Sequence, residues 1–281
     1  MLTINIDPIA FTIGFLTVRW YGIMVALAVI TLLIVTFRET RRVGFPQDNI
    51  YSLFLWGIIG GFIMSRLVHV VDYLVTHPDE PINIIGFAGL ALYGAIGGAL
   101  LGAWLYTKVR KFPFSSLAAV GDALAVGTPL AQAIGRVGCT INGCCFGKPS
   151  PFHSFPSAVL YTPRDTIPSQ YWGVPLYPTQ IYFILWNLIV FTITWRLRER
   201  LKPQGSLFFV YLCLYAAGDF GLRFLRVNEP FLLGLYQGQV ISLAILVVAV
   251  PWLIIRMRRF QQGIRVTEST SGADLGQSHE D

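Results

Sequence analysis

Seven stretches of the chain, at about 14–37, 50–75, 84–107, 116–136, 178–196, 206–226 and 235–255, are each long and apolar enough to cross a bilayer. A spanning helix takes about 20 mainly apolar residues. Inside hydrocarbon every backbone N–H and C=O must be bonded within the protein, which leaves helices and closed barrels. Barrel strands are shorter and alternate in polarity, whereas these stretches are continuously apolar. The chain is therefore expected to be an all-α polytopic membrane protein with seven transmembrane helices. Its charged fraction of 13% is about half that of a soluble domain, roughly 25%. The first stretch lacks the basic leader and small-residue cleavage site of a signal peptide. The expected organisation is a transmembrane domain over 1–259 that opens with a short interfacial arm at 1–13. A polar tail, 260–281, is expected to be disordered and cytoplasmic. The one long connection, 137–177, is rich in Gly, Pro and Ser, and loops of that length carry function or are disordered.

Lys and Arg orient the helices. Arg38, Arg41 and Arg42 follow the first stretch, and Lys108, Arg110 and Lys111 the third. Arg196, Arg198, Arg200 and Lys202 follow the fifth, and Arg256, Arg258, Arg259 and Arg265 the seventh. The opposite side has none in 1–13, 77–83 or 228–234, and only Lys148 and Arg164 in the long loop. By the positive-inside rule the N-terminus is expected outside and the C-terminus in the cytoplasm. The net charge of +6 is thus a topology signal, and no nucleic-acid partner is expected.

Five arginines, Arg19, Arg66, Arg136, Arg223 and Arg226, lie inside or at the edges of these stretches. An arginine at a helix centre costs roughly 2.5–3.5 kcal/mol on insertion scales. Snorkelling to the head groups explains Arg226 and suits Arg19. It explains Arg66 poorly, because Arg66 is mid-stretch with His69 and Asp72 nearby. Asp122 is a further buried acid that needs a partner. Asp219 and Arg223 are four apart and can pair on one helix face. Most of the five fall toward the outer side, where clustered guanidinium groups suit an anion, since arginine grips phosphate with two prongs. A lipid phosphate is the nearest abundant anion.

Glycines at 60, 61, 89, 94, 97, 98 and 102 read mainly as close helix packing. Those in GRVGCTINGCCFG (135–147) differ, because they flank polar residues where a helix is expected to break. Cys139, Cys144 and Cys145 fall on the oxidising side, so a disulfide from Cys139 to Cys144 or Cys145 is plausible. A zinc site would want further His or Cys, so no metal is expected. Cys213 reads as a small apolar residue.

Five segments resemble the prolipoprotein diacylglyceryl transferase family, in matching order and spacing. Ile6–Met24, with Arg19-Trp20-Tyr21-Gly22, is similar to the family's opening, and Gly60–Tyr73, with Arg66, to its second helix. GRVGCTINGCCFG resembles its signature, G-R-x-G-N-F-x-N-x-E-x-x-G. YPTQIY (Tyr177–Tyr182) resembles its His-Pro-Thr-Gln-Leu-Tyr, and LRFLRVNEP followed by QGQVISL resembles its last two helices. The resemblance implies a seven-helix fold with the N-terminus outside, in the bacterial inner membrane. It implies transfer of diacylglyceryl from phosphatidylglycerol to the lipobox cysteine thiol of a prolipoprotein signal peptide, forming a thioether with loss of glycerol phosphate. The partners would be those two substrates and membrane lipids, with no cofactor.

By carry-over, Arg136 would hold the phosphate and stabilise charge as the C–O bond breaks, with Tyr21 and Asn142 orienting the head group. Arg223 completes the implied catalytic set. Arg66, Tyr93, Gly94, Gly147, Gln180 and Gln239 match substrate-binding positions. The chain departs from the pattern at Cys139 and Cys144, which stand where the signature has asparagine and glutamate. The helix-six pair is Asp219 then Arg223, the reverse of the family order. Other readings remain open: a diverged homologue with another lipid or acceptor, a thiol oxidoreductase using the three cysteines, and a transporter. No C-x-x-C pair supports the oxidoreductase, and no internal symmetry supports the transporter.

Overall fold

The computed structural model describes residues 2–14, 16–76, 92–110, 116–163, 166–228 and 230–277. The side chains of 16, 72, 75, 76, 92, 93, 116 and 263–277 are not among those described. Loop 77–83, the first part of the third stretch (84–91), Lys111, Arg164 and the side chains of Asp72 and Arg265 therefore lie outside the description.

Seven helices are described: α1 (Trp20–Arg42), α2 (Gln47–Thr76), α3 (Leu92–Val109), α4 (Ser116–Asn142), α5 (Thr179–Leu197), α6 (Ser206–Leu222) and α7 (Gln237–Gln277). All but α3 contain a candidate membrane span, that of α7 ending at Gln262. Their outer faces are apolar and open, as at Leu100 (67% exposed) and Val247 (65%). Exposed apolar surface on this scale marks a membrane-facing surface, and the chain is a multi-pass, mostly helical membrane protein.

Six short strands are also described: β1 (Leu2–Ile4), β2 (Ile9–Ile13), β3 (Leu16–Arg19), β4 (Val159–Tyr161), β5 (Pro230–Leu232) and β6 (Leu235–Tyr236). β2 and β3 form an antiparallel hairpin. Arg19 therefore ends a strand, and the first helix begins at Trp20 rather than near residue 14. β5 and β6 form a second hairpin.

The long connection is ordered across its described residues. β1 pairs in parallel with β4, Leu2 opposite Val159 and Ile4 opposite Tyr161. Val159 also bridges to Leu176, and Leu176 to Pro149. Ile4, Val159, Tyr161, Ile167 and Leu176 bury their side chains together, with Phe146, Tyr171, Val174 and Ile181 packed around them. The connection thus has a hydrophobic core of its own, closed by the N-terminal arm.

The chain divides into two compact units, Met1–Thr36 with Val120–Asp281, and Phe37–Ala119. In the second, α2 and α3 touch backbone to backbone. A Cβ at Gly98 would lie 2.2 Å from the Gly60 carbonyl oxygen, and one at Gly102 2.2 Å from that of Trp56. Small residues allow this approach where lipid supplies no hydrophobic drive between helices. The hydroxyl of Tyr106 donates to Asn49 Oδ1 at 3.0 Å across the same pair of helices.

In the first unit Asp122 of α4 caps α6. Its carboxylate accepts the backbone N–H of Gly205 at 2.6 Å and of Phe208 at 3.0 Å. A helix N-terminus has unpaired N–H donors and a positive dipole end, so a carboxylate is favoured there. The buried acid that the sequence leaves without a partner is thereby satisfied.

Candidate active site

The residues of GRVGCTINGCCFG fold differently from the expectation of a broken helix. α4 runs through Gly135 and Gly138 to Asn142. A Cβ at Gly138 would meet Met24 Cβ at 2.9 Å and Tyr21 Cα at 3.5 Å, so this glycine admits the first turn of α1 against α4. The helix ends at Gly143, whose φ of 74° is a left-handed value that glycine adopts without steric cost. The N–H groups of Gly143 and Cys144 both donate to the Cys139 carbonyl, at 3.0 and 3.2 Å.

Gly147 is held between two other segments. Its N–H donates to the Tyr177 carbonyl at 3.1 Å, and Lys148 N–H donates to that of Leu225 at 2.8 Å. A Cβ at Gly147 would lie 2.5 Å from the Tyr177 oxygen and 2.9 Å from the Leu225 oxygen. Only a residue without a side chain fits, which gives this position a packing role.

Arg136 is on α4, half-buried, with its guanidinium carbon 4.4 Å from the centre of the Phe183 ring of α5. Among the described residues it makes no side-chain hydrogen bond or ion pair. Its electrostatic neighbours are Cys139, Cys145, Tyr215 and Asp219. Tyr21, exposed at 43%, interacts electrostatically with Arg136 and with all three of Cys139, Cys144 and Cys145. Tyr21, Arg136 and the cysteine cluster therefore share one region of this unit.

Arg223 follows α6 in a 3-10 turn (Arg223–Leu225). Its Nε donates to Asp219 Oδ2 at 2.5 Å, and Ser242 of α7 donates to the same oxygen at 2.9 Å. Its guanidinium lies over Gly238, where a Cβ would fall 2.0 Å from the Arg223 Cζ. The i,i+4 pair expected from sequence is formed, and Asp219 is shared between Arg223 directly and Arg136 through the field. Asp219 is 2% exposed, so it works at low dielectric, where its charge acts strongly.

The two glutamines are both fully buried. Gln180 Nε2 donates to the Cys144 carbonyl at 2.9 Å. Gln239 Nε2 donates to the Phe220 carbonyl and its Oε1 accepts the Tyr236 N–H, both at 3.1 Å. Each pins a backbone segment beside the site. Asn142 ends α4, and its carbonyl accepts the Thr166 hydroxyl; its side chain is a hydrogen-bond neighbour of Cys144.

Arg226 departs from the snorkelling expectation. Among the described residues its Nε is buried with no hydrogen-bond partner, its backbone bridges to Gly147, and it acts electrostatically on Cys145. The expected disulfide is not formed: Cys139, Cys144, Cys145 and Cys213 are all free. The Cys145 thiol is held below its ordinary range, chiefly by its interaction with the neighbouring Cys139 and Cys144 side chains, with Arg226 and Arg136 adding.

Arg66, Tyr93 and Gly94 belong to the other unit. Arg66 is half-buried on α2. A Cβ at Gly94 would lie 2.7 Å from the Met64 carbonyl oxygen, which is again a packing reason. Tyr93 lies in the first turn of α3, and its side chain is outside the description. Sequence reasoning missed Phe183 and Ser242. A phenylalanine in an apolar helix carries no mark of a special role. A lone hydroxyl in the apolar run after Gln239 was a readable signal.

A family model described as Prolipoprotein diacylglyceryl transferase matches residues 8–255. A phosphatidylglycerol–prolipoprotein diacylglyceryl transferase of Dehalococcoides mccartyi is 39% identical over 269 residues, covering 95% of this chain and all of that protein. Proteins of the same name from Clostridioides difficile and Lysinibacillus sphaericus are 31% and 30% identical. The matches cover 84% and 96% of this chain, and 90% and 99% of those relatives.

Proposed function

We propose a division of labour among the site residues from one premise: this chain belongs to the prolipoprotein diacylglyceryl transferase family. It is a membrane enzyme that transfers a diacylglyceryl group from phosphatidylglycerol to a prolipoprotein. In our reading the acceptor atom is the thiol sulfur of a lipobox cysteine. The thiol loses its proton, the sulfur attacks the glyceryl carbon next to phosphate, and a C–S bond forms as the C–O bond breaks. Glycerol phosphate departs with the electron pair.

The observation that supports this assignment of roles is the contrast between two arginines. Arg223 is committed to Asp219 and Ser242. Arg136 has its guanidinium on an aromatic face and no ion-pair partner among the described residues. A guanidinium held in place with its donors unspent is suited to a phosphate whose charge grows as it leaves. Arg136 therefore grips the departing phosphate, Tyr21 and Asn142 orient the head group, and Arg223 with Asp219 sets the field around them. Gln180, Gln239 and Gly147 hold the backbone beside these residues. In the second unit we read Arg66 and Tyr93 as lipid-binding and Gly94 as the residue that lets α3 approach α2.

We also read the chain as seven spans in a bacterial inner membrane, with the N-terminus and the long connection outside and the C-terminus in the cytoplasm. The support is the one-sided distribution of Lys and Arg. Transfer itself is the test. The purified chain, in vesicles containing phosphatidylglycerol, should add one diacylglyceryl mass to a lipobox peptide and none to its Cys→Ser version. Modification of both peptides, or of neither, contradicts the reading.

A further inference from the structure

The transferase reading makes no use of Cys139, Cys144 and Cys145, since the acceptor brings its own thiol. Yet their sulfur atoms all lie within 4.8 Å of one another. The cluster is built by the same break that ends α4. Cys139 is on the last turn, 8% exposed. Gly143 then turns the chain back, and Cys145 itself takes a φ of 63°, a left-handed value that residues with side chains seldom adopt. Two side chains from the start of α5 fix the result: Thr179 Oγ1 donates to the Cys145 carbonyl and Gln180 Nε2 to the Cys144 carbonyl, each at 2.9 Å. The three sulfurs are thus held by backbone that is pinned from outside the cluster.

We propose that Cys139, Cys144 and Cys145 form a three-sulfur binding site for a thiophilic d10 cation. At a metal–sulfur distance of about 2.3 Å, the sulfurs of a tetrahedral or trigonal site stand about 3.8–4.0 Å apart. A small inward movement closes the cluster to that spacing. Cations of this class have no d-electron preference for geometry and favour thiolates over oxygen ligands. Three protein sulfurs with an open or water-filled fourth position therefore suffice, and the want of a fourth His or Cys does not count against the site.

Charge supports the same assignment. Each thiol gives up one proton as its metal–sulfur bond forms, and no electron is transferred. A divalent cation with three thiolates carries a net charge of −1. Arg136 and Arg226 both act electrostatically on Cys145, so the anionic complex would lie beside two guanidinium groups.

The test uses the full chain in detergent, reduced with a phosphine and kept anaerobic, with Cd2+ as the probe. The expected result is one Cd2+ per chain with a thiolate-to-metal absorption band. Three of the four thiols should become protected from a maleimide, Cys213 remaining reactive. Cys139→Ser, Cys144→Ser and Cys145→Ser should each weaken binding by roughly tenfold or more, and Cys213→Ser should not. An unchanged thermal midpoint in detergent shows that the serine variants are folded. No stoichiometric band in the reduced wild type overturns the proposal, as does an unchanged band in the triple serine variant or one lost on Cys213→Ser. This readout is independent of transfer, so it fails or succeeds separately from the transferase reading.

Discussion

The guanidinium carbon of Arg136 lies 4.4 Å from the centre of the Phe183 ring. Phe183 is 1% exposed, so the ring is fixed by packing and presents one face to the arginine. A cation over an aromatic face gains about 0.5–2 kcal/mol, the upper end when desolvated. The contact takes up no hydrogen-bond acceptor, and among the described residues the guanidinium donates no side-chain hydrogen bond, so its donors are available to an anion. α5 therefore positions a side chain of α4 without using up its hydrogen bonds.

Phe183→Leu keeps most of the volume and removes the ring. Loss of about 0.5–2 kcal/mol of positioning should lower kcat/KM for lipid transfer by about 2- to 30-fold. The thermal midpoint in detergent should change little. Wild-type kcat/KM in a folded Phe183→Leu protein would show that the ring does not position Arg136.

Asp219 and Ser242 should differ sharply in importance. Asp219→Ala leaves Arg223 in a confined place without its counter-charge, which costs roughly 3–5 kcal/mol for a buried pair. Ser242→Ala removes one hydrogen bond to a carboxylate, about 1.5–3 kcal/mol or less. Thermal unfolding of the two variants gives the order. A Ser242→Ala protein less stable than Asp219→Ala would mean that the hydroxyl contact from α7, not the ion pair within α6, is the stronger support here.

Adjacent glycines on α3 supply a matched pair. A Cβ at Gly98 would lie 2.2 Å from the Gly60 carbonyl oxygen, whereas one at Gly97 would meet nothing within 4 Å. Gly98→Ala should destabilise the protein by about 1–3 kcal/mol, and Gly97→Ala should be neutral or slightly stabilising, since alanine is the better helix former. Gly147→Ala, facing the Tyr177 oxygen at 2.5 Å, should behave like Gly98→Ala. Equal thermal midpoints for the Gly97 and Gly98 variants would contradict the close approach of α2 and α3.

Much of the fold was legible because hydrophobic length is a direct requirement of the bilayer, and among the described residues six of the seven expected spans are seen as long apolar helices. The Asp219–Arg223 pair was legible from helical spacing alone. The ends of elements were less so. Arg136 and its glycines suggested a broken helix, but α4 continues through Gly135 and Gly138, and Gly138 admits the first turn of α1. Arg19 sits in a hairpin whose apolar strands cannot be told by composition from the start of a span. The partner of Asp122 was not legible either, because the donors are backbone N–H groups of Gly205 and Phe208. Side-chain composition carries no trace of those. The cysteine cluster depended on a backbone turn at Gly143 and Cys145, which sequence spacing does not specify.

Orientation is tested by labelling. Single cysteines introduced in loops 77–83 and 197–205 of a cysteine-free chain should react differently with a membrane-impermeant maleimide on intact cells. The first should label and the second should not until the membrane is opened. The reverse pattern would contradict the proposed orientation.

The most direct measurement is phosphatidylglycerol-dependent transfer by Arg136→Lys. Lysine keeps the charge and loses the planar, two-pronged donor. A charge-assisted hydrogen bond contributes roughly 1.5–3 kcal/mol, so the variant should be slower by about 10- to 100-fold. Arg258→Lys, near the end of the α7 span, is the control and should be near normal. Transfer of labelled diacylglyceryl to a lipobox peptide by each purified variant gives the answer. A large loss for Arg136→Lys alone is the predicted result; equal, near-normal rates for both would mean that Arg136 does not grip the leaving phosphate.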